Sequence, residues 1–530
     1  MARSDRRKSK PKKTDHSQRM NRLKAKALTK VAGQAWGYDQ RYRSIALLTE
    51  ALRRDPANPD VLISLATALG KQRHYEQAEE LLARVLELTP RKASMHRRVA
   101  QSYAEIDRPE RAAECYRRSL ELNRDTSVTV PTLLELASLY ERRHQLDDAS
   151  AAVAEALTRE PANELALLQQ AVLDRRRHEP ARAESALRTL VADSSRTWPT
   201  RAQAWYELAQ LLDDQAQYDD AFHALIAAKK LMVPHAADCR HQNQDTLMRN
   251  AQLVESLDKS CYERWQKGAE DDKPYRITAL TSHPRSGTTL IEQLLDSHDQ
   301  VISADEFDVF SRWVFLPIVR KFPQSTPIIN ILDAVPSAFR QMARATYWQQ
   351  TEAILEQPFG ERMLVDKNPG MMILMPVINW AFPELKMLIA LRDPRDVVLS
   401  CFMQKVPLTP ISYNWLSLTD AADYYARVMK TWLAVRSLTP GAWLEFRYED
   451  VVVDLEREAR KILEFLGLPW DERVLKFYEH ARDKMVRSPT YKDVTQPVYQ
   501  RSVGRWQHYA KHLEPVLETL QPFVKEFDYE

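Results

Sequence analysis

The segment Ser282-His-Pro-Arg-Ser-Gly-Thr-Thr289 carries the residue types of an anion cradle. It sits between a short apolar run, Ile277–Thr281, and a helical pattern that continues to residue 297. A strand–loop–helix junction aims backbone N–H groups and the positive end of a helix dipole at one point, which favours an anion. Gly287 lets the backbone approach closely, and Thr288 and Thr289 add hydroxyl donors. Arg285 supplies a permanent, forked cation suited to phosphate oxygens.

Compared with the nucleotide-triphosphatase loop G-x-x-x-x-G-K-[ST], Ser282 stands in place of the first Gly and Thr288 in place of the Lys. The apolar run Lys386–Leu391 ends in Arg392, where such enzymes often place a magnesium-binding Asp. The expected site is therefore cationic and metal-free, and takes a nucleotide with two separated anionic ends. In Leu391-Arg-Asp-Pro-Arg-Asp-Val-Val-Leu-Ser400, Pro394 suits a first helical position. Arg392 and Ser400 then fall on one side, two turns apart, able to grip one phosphate.

These residues need a sheet behind them. Runs at 277–281, 363–365, 386–391 and 443–446 read as buried strands, each followed by a helical pattern, so residues 274–530 are expected to be α/β with a parallel sheet. Residues 34–235 instead repeat. Alanines at 66, 100, 137, 171 and 209 step by 34, 37, 34 and 38, and a second set at 78, 112, 149, 183 and 221 follows 12 residues behind. Two small residues 12 apart in a unit of 34 suit two helices crossing closely, and the pattern resembles the tetratricopeptide repeat. Such units stack into an α-solenoid with a concave face. A polar helical connector is expected over 236–273, ending in the charged break Glu270, Asp271, Asp272 and Lys273.

The loop, Arg392 and Ser400 together resemble the sulfotransferase superfamily, P-loop-like in fold, and among its branches the tyrosylprotein sulfotransferases. The resemblance covers about residues 274–510 and implies 3′-phosphoadenosine 5′-phosphosulfate (PAPS) as co-substrate, without a metal. It gives Arg285, Ser286, Gly287, Thr288 and Thr289 to the 5′-phosphosulfate, and Arg392 with Ser400 to the 3′-phosphate. Phe446-Arg-Tyr-Glu-Asp450 matches a family segment whose tyrosine, here Tyr448, contacts the nucleotide. Val494–Val498 and Ser502-Val-Gly-Arg-Trp506 match its closing segment, with Arg505 in place of a cofactor-contacting lysine.

By the same resemblance, an ungapped count from Pro284 puts the catalytic base at Glu306, with Asp305 beside it. Lys367 matches a lysine that steadies the transferring sulfonate. Its hydroxyl partner is Thr490, with Tyr491 competing. The family's two substrate-clamping arginines correspond to Asp308 and Arg312, so one charge is reversed. The histidine base of the cytosolic branch has no counterpart at His283 or His298, which are read as structural. Residue chemistry agrees: a base takes the acceptor proton, and cations meet charge developing on the sulfonyl and phosphate oxygens.

Composition bounds the rest. Of 530 residues 44% are hydrophobic and only ten are Gly, as in soluble helical or α/β proteins. Residues 1–33 read as a basic disordered tail that touches an acidic partner; 12 Lys/Arg against two Asp in the first 30 residues leave about −7 for the remainder. Four scattered cysteines suit a reducing cytoplasm, and no apolar stretch is long enough to span a membrane. The repeats are expected to bind a peptide or protein, the acceptor itself among the candidates, or to build a homo-oligomer. Two alternatives stand beside the enzyme: a non-catalytic repeat scaffold that senses a nucleotide, and a nucleotide-dependent kinase.

Overall fold

The computed structural model describes residues 13–37, 41–72, 74–123, 125–304, 306–355, 357–479 and 502–530. Two compact units part between Arg196 and Thr197.

The first unit is built from paired helices such as Ala93–Glu105 with Pro109–Leu122 and Thr126–Arg142 with Leu146–Arg159. The alanines that set the repeat register are all at most 2% exposed, as close helix crossings require. The turn inside each pair has its own signature. Asp107, His144 and His178, and Ala216 in the pair that falls in the second unit, have φ of 62, 60, 62 and 59°, each seven residues after the first alanine of its repeat. None is glycine, so each bears the steric cost of a Cβ in the left-handed region. Ala216→Gly is expected to stabilise its unit by several tenths of a kcal/mol, up to about 1. A urea midpoint that stays put or falls would show this turn to be unstrained.

The basic tail departs from expectation. From residue 13 it is one helix, Lys13–Gly37, lying against Arg41–Arg54. Ala25, Ala32 and Ala35 are buried. Two alanines one heptad apart give this charged stretch an apolar seam, which the bulk composition conceals.

The second unit holds a five-stranded parallel sheet. Its strands are β1 (Ile277–Thr281), β2 (Val301–Ser303), β3 (Met363–Lys367), β4 (Lys386–Leu391) and β5 (Trp443–Arg447), in the order β2-β3-β1-β4-β5. β2 has no counterpart in the sequence reading, because three residues are too few to show a period. β3 and β5 run past the expected runs at 363–365 and 443–446. The chain leaves β1 toward β2 and β3 on one side and later toward β4 and β5 on the other. Such a reversal marks a topological switch point, and ligands of open α/β sheets bind there, at the carboxyl ends of the strands.

The helical pair Trp198–Asp214 and Tyr218–Met232 packs within this second unit, although its alanines share the repeat spacing. Phe222 stacks on Phe402 with centroids 5.3 Å apart. Lys229 is buried and donates to the Trp415 carbonyl at 2.5 Å and the Tyr206 hydroxyl at 3.3 Å. Burial pushes its ammonium down to about 7. The connector region forms helices Ala237–Glu255 and Lys259–Gly268. Asn243 and Asn414 exchange hydrogen bonds of 2.8 and 3.1 Å, which fixes the first of them to the sheet domain. Asp272, in the expected charged break, is buried against Arg340 at 3.0 Å. Among the described residues, no helix is long and apolar enough to cross a membrane.

Candidate functional site

Each strand of the sheet delivers one candidate group at or just beyond its carboxyl end. β1 leads into the anion loop, β2 toward Glu306, and β3 ends on Lys367. β4 leads to Arg392 and β5 to Tyr448. The register makes this possible: Leu280 pairs with Lys367, Thr281 with Ile389, and Leu391 with Arg447.

The loop is shaped by two left-handed residues, Arg285 at φ 76° and Gly287 at φ 97°. Left-handed residues spaced in this way are the backbone pattern of anion-binding nests, although here the Ser286 N–H donates to the His283 carbonyl at 3.3 Å. Gly287 also caps the helix Thr288–Asp296. A Cβ on Gly287 would lie 2.6 Å from Tyr448 Cδ2, so backbone conformation and space both demand glycine. Ser286, Thr288 and Thr289 are buried at the helix start.

Arg392 joins three segments. It donates to the Arg285 carbonyl at 3.0 Å and the Ser502 carbonyl at 2.6 Å, and its guanidinium lies 5.2 Å from the Tyr448 ring centroid. Its Nε is buried with no hydrogen-bond partner. Arg285 Nε donates to Ser400 Oγ at 3.1 Å, leaving the Ser400 hydroxyl proton directed elsewhere. Ser282 Oγ is likewise buried without a hydrogen bond. A buried donor left unmade costs about 1–3 kcal/mol, and donors gathered this way suit a polar ligand.

Lys367 forms a second centre. The side chain is 0% exposed, and its ammonium sits 2.7 Å from Glu306 Oε1 and 3.0 Å from Glu292 Oε2. Glu306 is 36% exposed at its side chain, while Glu292 is 1% exposed. Ser303 Oγ donates to Glu292 Oε1 at 2.5 Å. The sequence reading missed Glu292. A signal existed: it stands four residues after Thr288 and three before the core residue Leu295, on the helix face that starts at the loop.

Other expected residues fall differently. Arg505 donates to Asp213, which also takes the Tyr509 hydroxyl at 2.5 Å, so its guanidinium is engaged by the helix Trp198–Asp214. Its neighbours Gly504 and Trp506 donate backbone N–H groups to Asp396 at 2.8 and 2.7 Å. Thr490, Tyr491, 494–498 and Asp305 lie outside the described residues. Asp308 Oδ1 accepts from the Ser311 backbone N–H at 3.2 Å. His283 bonds the Pro284 carbonyl at 2.8 Å through Nδ1, and burial lowers its pKa to about 4. His298 bonds the Pro469 carbonyl at 2.9 Å. Asp366, beside Lys367 in β3, accepts from the Tyr347 hydroxyl at 2.5 Å, and burial pushes it up to about 7.

Residues 279–472 match the model of the sulfotransferase family, and 43–102, 95–126 and 168–230 match models of the tetratricopeptide repeat. An uncharacterized protein of Aquifex aeolicus (strain VF5) is 28% identical over 351 residues, which is 61% of this chain and 42% of that protein. Protein-tyrosine sulfotransferase 1 of Danio rerio is 25% identical over 285 residues, 51% of this chain and 77% of the relative. Protein-tyrosine sulfotransferase A of Caenorhabditis elegans is 28% identical over 200 residues, 36% of this chain and 50% of the relative. Thus the chain spans less than half of the first of these relatives and half of the third. Among solved structures, the sulfotransferase domain of the Synechococcus PCC 7002 olefin synthase is similar at 19% identity, covering 48% of this chain and 96% of that one, with a TM-score of 0.34. The chain thus carries tetratricopeptide repeats followed by a sulfotransferase domain with a parallel sheet.

Proposed function

We propose that the protein transfers a sulfonate group from PAPS to a hydroxyl acceptor, a protein tyrosine among the candidates. One observation carries this reading: five strand ends bring the anion nest, Arg392 and the Lys367–Glu306 pair to one edge of the sheet. The residues fit the nucleotide on their own chemistry. The unsatisfied Nε of Arg392 suits an anionic ligand, and the missing Cβ of Gly287 lets the Tyr448 ring pack onto the loop.

When bound, PAPS would supply an activated sulfonate. Arg285, Ser286, the loop N–H groups and the hydroxyls of Thr288 and Thr289 would hold its phosphosulfate end. Arg392 and Ser400 would hold the 3′-phosphate, with Tyr448 flanking the nucleotide. Glu306 would take the proton from the acceptor hydroxyl. Lys367 would present its ammonium where negative charge grows on the transferring group. No covalent enzyme intermediate is required, since positioning supplies much of the acceleration.

The repeats are proposed to hold a polypeptide acceptor. A groove of about 390 Å³ in the first unit is lined by polar residues such as Arg97, Glu135 and Gln169 and by apolar ones such as Val130, Leu134 and Leu165, a mixture suited to a polypeptide. Asp308 stands where the resembling family clamps acidic peptides with an arginine, so the acceptor is proposed to need no acidic neighbours. Four free cysteines suit a reducing compartment such as the cytoplasm.

Adenosine 3′,5′-bisphosphate is expected to raise the melting temperature, and Gly287→Ala to abolish that rise. A rise with ATP and magnesium alone would overturn the reading in favour of a kinase.

A further inference from the structure

We infer that Glu292 is a positioning residue for the transfer step: it is the permanent counter-ion that keeps Lys367 charged and in place when Glu306 loses its own charge. The inference rests on the sulfotransferase reading and deepens it.

A fully buried ammonium is expensive to desolvate and persists only with a partner in good geometry. Among the described residues Lys367 has two carboxylate partners, a hydrogen bond of 2.7 Å to Glu306 and an ion pair of 3.0 Å to Glu292, and they are not equivalent. Glu306 is the exposed one, so only it can meet an acceptor arriving from solvent. Glu292 is enclosed, and its other oxygen is fixed by the Ser303 hydroxyl on β2. The backbone N–H of Ser303 in turn donates to Asp296 Oδ1 at 2.9 Å, tying β2 to the end of the same helix. Glu292 therefore cannot follow Glu306 toward the acceptor.

The charge balance shows why two carboxylates are needed. Before transfer, Glu292, Glu306 and Lys367 sum to −1. During transfer the acceptor O–H bond breaks and its proton passes to Glu306, while the acceptor oxygen bonds to sulfur as the bond from sulfur to the bridging phosphate oxygen breaks and its electron pair leaves on adenosine 3′,5′-bisphosphate. The carboxyl so formed is neutral. Of these two carboxylates, only Glu292 then keeps a charge beside the buried ammonium at the moment that charge is used. With Glu292 in place the cluster passes from −1 to 0, and Lys367 stays paired. The same carboxylate anchors Lys367 to the helix that opens at the anion nest, so the two centres keep a fixed spacing.

Glu292→Gln preserves size and can still accept from Ser303, but removes the charge. It is expected to lower kcat by at least tenfold while KM for PAPS and the melting-temperature rise with adenosine 3′,5′-bisphosphate are unchanged. In a Lys367→Met background the same substitution is expected to change nothing further, because its effect runs through Lys367. An unaltered kcat in the single variant overturns the role, as does an equal additional loss in the Lys367→Met background. Should Glu292→Gln fail to fold, Ser303→Ala loosens the same carboxylate; it is expected to lower kcat with the same dependence on Lys367, and an unaltered kcat overturns the role. A wild-type protein that transfers no sulfonate overturns the functional reading itself, and this role with it.

Discussion

Glu306→Gln is expected to lower turnover by about 10²- to 10⁴-fold, the usual contribution of a positioned base. Binding of adenosine 3′,5′-bisphosphate should survive intact. Glutamine keeps the shape and can still accept from Lys367, so the pocket need not rearrange. What it lacks is a basic oxygen for the acceptor proton. Among the described residues the geometry leaves no equivalent substitute on Lys367, because Glu292 is shut away from solvent while Glu306 faces it. Burst and steady-state measurements with PAPS, set beside calorimetry with the bisphosphate, separate the two effects. Undiminished turnover would move the base elsewhere. A parallel loss of nucleotide affinity would make Glu306 part of the binding surface instead.

Arg392→Ala is expected to weaken adenosine 3′,5′-bisphosphate by about 10- to 100-fold, the scale of one or two hydrogen bonds to a charged group. AMP, which lacks the 3′-phosphate, should be affected far less. Discrimination between the two ligands should therefore collapse. Arg392 also bonds the carbonyls of Arg285 and Ser502, so some loss of stability should accompany the change. Arg392→Lys controls for this: it keeps the charge but not the fork, and should recover only part of the discrimination. If discrimination persists in the alanine variant, another cation holds the 3′-phosphate.

The legible parts of this chain were those with a local signature. The anion loop, the strand-end arginine and the alanine spacing are read within a few residues of themselves, and backbone sterics or close helix crossings enforce each. Lys367 and Glu306 came from a family likeness, and the structure brings them to 2.7 Å. What escaped had no local pattern. β2 is too short to show alternation, and Glu292 looks like a solvent-facing helix residue until β3 is packed over it. Arg505 is met by Asp213, nearly 300 residues earlier, a pairing that no motif reveals. The helix Lys13–Gly37 was hidden by its charge, since alanines buried a heptad apart weigh little in composition. Likewise, the left-handed turns at Asp107, His144, His178 and Ala216 hold no glycine to mark them in the sequence.

The central claim is transfer, and isotope transfer tests it most directly. PAPS labelled in its sulfonate sulfur would be incubated with the protein and a native extract, in parallel with Glu306→Gln. The account predicts that label moves from PAPS into a hydroxyl-bearing acceptor with the wild-type protein and stays in PAPS with the variant. Label that remains in PAPS with both proteins, although the wild type binds the bisphosphate, would contradict it and leave a nucleotide-sensing scaffold.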